Sequence, residues 1–146
     1  MLVAATIVPK SHNEQFMEAE MSNTLPTLPP RAAYLTWLPV LLRDTTSGWY
    51  AMIQAQYRAP NYAITATELA HAARYKNWRG ANLQYGKMGA HLRTLMDYND
   101  DAYLNGEAQS SYILSKFYPP GAIGNEHWLF VMHDEVAEAL RELGWT

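Results

Sequence analysis

Apolar residues recur at helical spacing through the middle of the chain. At 100° per residue, Ala81, Tyr85, Met88, Leu92 and Leu95 fall on one stripe, spaced 4, 3, 4 and 3. The opposite side gathers Arg79, Asn82, Leu83, Gly86, Lys87, Ala90 and Arg93. Just before it, Leu69, Ala70, Ala72 and Ala73 predict a shorter helix headed by Thr65-Ala66-Thr67-Glu68. That tetrad fits a capping box, in which Thr65 accepts the Glu68 backbone N–H and Glu68 accepts the Thr65 N–H. Arg74-Tyr75-Lys76-Asn77 interrupts the pattern, and Asn77 suits the N-cap of the second helix. The stretch from Ile64 to Met96 therefore reads as two helices joined by a tight turn, with helix-turn-helix punctuation.

The flanking patterns suggest what supports this pair. Arg31 to Arg43 is aromatic and apolar, with Tyr34, Trp37, Leu38 and Leu41 expected inward and Pro39 expected to break any long helix. Ser47 or Thr46 can start a helix through Tyr57, whose inward face is Trp49, Met52, Ile53 and Gln56. Tyr62-Ala63-Ile64 reads as a short strand. Asp97 to Gln109 is acidic and turn-rich, a surface loop. Ser111 to Tyr118 alternates as a strand does, and His127 to Met132 forms a second run across a Pro- and Gly-rich loop at 119–125. Asp134 is placed to cap a last helix with Val136, Leu140 and Leu143 inward and Gly144 as its stop. The expected fold is α+β and mainly helical: a winged helix-turn-helix over 31–146 with a two-stranded wing and a C-terminal helix. Residues 1–30 read as an extended or partly disordered N-terminal arm, polar at first and then Pro-rich, and Met21 within it is a candidate natural start.

Composition narrows the class. The 146 residues make one domain's worth of chain, and 49% hydrophobic with 17% charged residues is a globular balance. Cysteine is absent, which removes disulfides, thiol nucleophiles and thiolate zinc sites. The apolar N-terminal residues are too few to span a bilayer and lack a basic leader, so a cytoplasmic protein without a membrane partner is expected. A net charge of −3 argues against a polyanion partner until its distribution is considered. Tyr57 to Arg93 carries six Lys or Arg against one acid, Glu68, a segment of +5 on a remainder of −8. Such an element binds polyanions locally, because contacts within a Debye length dominate.

Arg and Asn side chains read guanine and adenine edges in the major groove, and Lys and Arg bind phosphate. Arg79, Asn82 and Lys87 are thus the candidate groove residues, with Arg74, Lys76 and Arg93 on phosphates. Glycines at 80, 86 and 89 lower helix propensity by about 1 kcal/mol each relative to Ala, so close approach of another surface is expected along this helix. Tyr75, Trp78 and Tyr85 lie among the basic residues and could stack bases, but Tyr85 and Trp78 read as core and only Tyr75 stays open.

Other chemistry finds less support. Glu68 and His71 match one half of a helical di-iron motif, yet no second E-x-x-H follows and Glu68 has a capping role. His133-Asp134-Glu135 diverge in direction, and Ser110, Ser111 and the His residues have no nucleophile-elbow context. No Gly-rich phosphate loop appears. The expectation is a non-enzymatic protein with no metal and no cofactor.

The blocks ITATELAHAARYKNWRGANLQYGKMG and EVAEALRELGW resemble a small bacterial winged-helix domain found near or fused to HNH-type nuclease domains in restriction-like proteins. The resemblance spans roughly residues 47 to 146 and leaves the arm outside. It implies a nucleic-acid-facing module of bacterial or phage conflict systems; no HNH motif is present, so it implies no nuclease activity here. Double-stranded DNA is the expected partner. The alternative is a protein partner in a nucleic-acid-processing complex, with the chain acting as an adaptor or an inhibitor such as an anti-CRISPR. An operon autoregulator is a third expectation and would need a dimer to read two half-sites.

Overall fold

The inward stripe predicted for the long helix closes around a core to which helices and sheet both contribute. The computed structural model describes residues 26–100 and 109–146. The unit formed by Leu28–Tyr98 and Ser110–Thr146 is α+β and mainly helical. Its helices are α1 (Arg31–Leu41), α2 (Gly48–Arg58), α3 (Ala66–Ala73), α4 (Trp78–Met96) and α5 (Asp134–Glu142). Its strands are β1 (Ala63–Thr65), β2 (Ser115–Tyr118) and β3 (Leu129–Met132), with short 3-10 turns at Pro60–Tyr62 and Ser110–Ile113. They pair antiparallel in the order β1-β3-β2, with Ile64 opposite Phe130 and Phe117 opposite Phe130 from the other side.

One face of the sheet, through Ile64, Phe130, Met132 and Ser115, is buried on the helices. Tyr85 of α4 meets Phe130 edge-on at 5.0 Å between ring centroids, and Phe117 does the same at 4.9 Å. On the helical side α1 packs on α4 and α5, while α3 sits between α2 and α4. Arg31 adds exposed ion pairs to Glu138 at 3.9 Å and Glu142 at 3.7 Å, of the kind that contributes little.

Several expectations change. Pro39 does not end α1, which continues to Leu41. The proline stands in the last turn, where its missing N–H removes one bond, and Leu42 still donates to the Leu38 carbonyl at 2.9 Å. Trp37 is only half buried. The strand expected from Ser111 starts at Ser115, after a 3-10 turn. Alternation would have sent Ile113 and Leu114 to opposite faces, whereas both are fully buried, and the tight turn allows it. The Tyr34 hydroxyl secures that turn by donating to the Ile113 carbonyl at 2.7 Å. Asp134 is the first residue of α5 rather than its cap; His133 occupies the cap position and no side chain closes that end. Ala137 and Ala139 join Val136 and Leu140 inward, while Leu143 is left 40% exposed. Gly144 does stop the helix, at φ 97°, with Trp145 donating to Leu140 and Gly144 to Arg141 as in a Schellman motif. The arm up to residue 25, and 101–108 of the acidic loop, lie outside the described residues.

Candidate nucleic-acid interface

The helix pair α3–α4 is punctuated as its sequence requires. Thr65 donates its N–H to Glu68 Oε1 at 2.9 Å, and the Glu68 N–H donates to Thr65 Oγ1 at 3.1 Å, completing the capping box. At the other end Arg74 takes a left-handed conformation, φ 62°, so that Tyr75 donates to the Ala70 carbonyl and the chain turns sharply. Asn77 Oδ1 then accepts the N–H groups of Arg79 at 3.0 Å and Gly80 at 3.4 Å to start α4.

Burial fixes which way α4 faces. Ala81, Tyr85, Met88 and Leu92 are fully buried. The Tyr85 hydroxyl lies 2.6 Å from both Gln56 Oε1 and Ser115 Oγ, while Gln56 Nε2 donates to Ser115 Oγ at 2.9 Å and to the Phe130 carbonyl at 3.1 Å. This buried network ties α4 to α2 and to both strands of the β2–β3 pair, and burial pushes the Tyr85 hydroxyl pKa well above the usual tyrosine value. A rotation of α4 would break several of these bonds at once.

Neighbouring elements contact both flanks of the helix. On one, Trp49 donates to Gln84 Oε1 at 2.9 Å and its ring meets His91 at 5.8 Å. On the other, the Ser110–Ser111 backbone presses so closely that a Cβ on Gly89 would stand 2.5 Å from the Ser110 carbonyl oxygen. Between these flanks runs an open strip: Arg79, Leu83, Lys87 and Ala90 are exposed, with Asn82 exposed beside it.

The glycines separate by cause. Gly89 makes room for the Ser110 turn, and Gly80 faces the Tyr75 Cβ at 3.4 Å. Gly48, at the start of α2, leaves the space that the Tyr75 hydroxyl end fills. Tyr75 is therefore turned onto the protein, and burial raises its hydroxyl pKa. Gly86 has nothing within 4 Å of where a Cβ would stand. No contact among the described residues accounts for it.

Of the six residues expected on nucleic acid, Arg79, Asn82 and Lys87 share the outward side of α4, and Arg74 and Lys76 are exposed in the turn before it. Arg93 is placed differently. Half buried, it donates from Nη1 to Ser110 Oγ at 2.9 Å and from Nε to the Tyr98 carbonyl at 3.3 Å. Its position on the Gly89 flank puts it against the Ser110 turn, so its task is to hold that turn to the end of α4. Trp78, expected in the core, is 46% exposed because it precedes Ala81, the first residue of the buried stripe. Its ring carries the Arg79 guanidinium at 5.0 Å, which restrains that side chain at the entrance of the helix.

Two features add apolar surface beyond the six expected site residues. Leu83, 57% exposed, stands at the centre of the open strip. The β2–β3 loop is braced by Asn125, whose Nδ2 donates to the carbonyls of Tyr118, Pro119 and His127 at 3.3, 3.0 and 2.7 Å, with Gly121 and Gly124 at positive φ. Ile123 and Trp128 project from it, 57% and 54% exposed, and the segment from Pro119 to Trp128 contains neither Lys nor Arg. The signal for this was an aromatic and an isoleucine in a turn-rich segment, where apolar residues have no inward face to occupy.

Among the described residues no three His, Asp or Glu are grouped to hold a metal ion, and no helix is long and apolar enough to cross a membrane. Comparison of the chain with protein-family models, with characterised proteins and with solved structures finds no match.

Proposed function

We propose that this chain is a non-enzymatic winged helix-turn-helix protein that binds double-stranded DNA, with α4 laid in the major groove. The observation that carries the reading is the open strip of α4: a helix locked in rotation, contacted on both flanks, and left exposed along a face bearing Arg79, Asn82 and Lys87. The order α2-β1-α3-α4-β2-β3 with sheet order β1-β3-β2 supports it, since a winged helix places its second helix of the turn and its wing in this succession. The +5 segment supports it electrostatically. Arg79 and Asn82 meet base edges, Lys87 lines the groove, and Arg74 and Lys76 in the turn contact phosphate. The setting is bacterial or phage defence, counter-defence or regulation, as the resemblance in the helix pair implies. Replacing Arg79 by Ala should weaken duplex binding by roughly tenfold, as loss of a specific base contact does. An unchanged affinity would move the contact off this helix.

A second reading is favoured by the wing. Exposed Ile123 and Trp128 on a loop without cations suit a protein surface better than a phosphate backbone. On that reading the chain is an adaptor or inhibitor of a nucleic-acid-processing complex. A stoichiometric protein partner that survives nuclease treatment of a bacterial lysate and is lost on Trp128→Ser would favour it.

A further inference from the structure

Resting on the reading that α4 enters the major groove, we propose that Leu83, Gly86 and Ala90 form a non-polar track that recognises the C5-methyl group of a pyrimidine. Leu83 and Ala90 lie opposite the buried stripe, roughly 180° around at 100° per residue, and Gly86 lies beside them at roughly 140°. Leu83 is as exposed as any large apolar side chain in the unit, at 57%. One turn on, Gly86 has open space beyond it, and Ala90 is exposed a further turn along. From Leu83 to Ala90 the helix rises about 10 Å, roughly three base-pair steps.

A face made for phosphate alone would place cations at its centre. Here the cations and the amide stand around the centre instead: Arg79 ahead of the track, Lys87 on one side and Asn82 on the other. In the major groove a pyrimidine C5-methyl is the apolar marker on an otherwise polar edge. Leu83 supplies the apolar contact, and the absence of a Cβ at Gly86 lets the backbone come close to the groove floor. Asn82, the neighbour of Leu83, is positioned to bond an adenine whose paired thymine carries such a methyl. Two bases present this group, thymine and 5-methylcytosine, and the chemistry is shared.

The test uses the full chain and the tightest-binding duplex recovered from a random-sequence pool. That duplex is remade with uracil for thymine, and separately with 5-methylcytosine for cytosine. Methyl recognition predicts that uracil weakens binding by about fourfold per methyl contacted, or that 5-methylcytosine strengthens it by a similar factor, which identifies the source. Leu83→Ala should erase the difference; its side chain is exposed, and a thermal melt by circular dichroism checks that the variant is folded. Equal affinity of the unaltered protein for all three duplexes would overturn the proposal while leaving DNA binding intact. A methyl effect that persists in Leu83→Ala would overturn the assignment to this track. If no duplex is bound in any form, the groove-docking reading fails and this inference with it.

Discussion

Tyr85 shows how one residue sets the orientation of a candidate binding face. Its ring is core, and its hydroxyl joins Gln56 and Ser115 across α2, α4 and β2. Replacing it by Phe keeps the ring and strands two buried polar side chains, which should cost about 1–3 kcal/mol. A denaturant titration checks this as a lowered midpoint with an unchanged slope; a midpoint within error of the parent would show that water or a rotamer change satisfies Gln56. Gly86 predicts effects of opposite sign. Ala there meets no neighbour, so it should raise stability by about 1 kcal/mol, yet it should weaken duplex binding if backbone approach is what the glycine serves. Stabilisation together with undiminished binding would remove that role. At this scale the sequence showed residue types and faces but not partners. Gln56 was readable as inward, whereas its bonds to Ser115 and Phe130, 59 and 74 residues away, were not.

Elements defined by local chemistry were readable, and those decided by distant contacts were not. The capping box at Thr65, the Asn77 cap and the stripe of α4 each depend on residues within one or two turns, and all are present. Ser111 to Tyr118 misled because period-two alternation also accommodates a tight turn followed by a strand, and the burial of both Ile113 and Leu114 decides between them. The start of α5 is shifted by a contact of the same kind. His133 Nε2 donates to the Tyr112 carbonyl at 2.6 Å, fixing the chain at the end of β3 so that Asp134 already lies in the helix. This junction should respond to pH. Burial lowers the His133 pKa below the usual histidine value, so the folded state resists a proton that the unfolded state accepts. The stability contributed by neutral His133 is complete above about pH 6.5 and is lost as pH falls from there toward the depressed folded value. Thermal melts across that range should show the decline, and His133→Gln should remove that part of it. A parent and variant with parallel pH profiles would assign the decline to other groups.

At the scale of the whole molecule, charge placement matters more than its sum. A basic segment of +5 includes the helix pair, while the rest of the chain is −8. The chain as a whole should therefore avoid non-specific adhesion to nucleic acid at high salt and bind through one face at low salt. Helix order and two strands late in the chain are legible from pattern alone. The pairing of β1 with β3 is not, because a three-residue strand carries too little pattern to announce its partner. Nor did the sequence reveal that Arg93 is occupied by Ser110 and Tyr98, which leaves Arg74, Lys76, Arg79 and Lys87 as the cations of the proposed face. Arg74 and Lys76 on phosphate make two neutralisations on B-DNA, which correspond to a slope of about −1.8 in log affinity against log salt. The decisive measurement is binding of the full chain to a random-sequence duplex pool across a salt series. A slope near that value is expected, shallower by about 0.9 in Lys76→Ala; salt-independent binding, or none at low ionic strength, would contradict the docking of α4 on DNA.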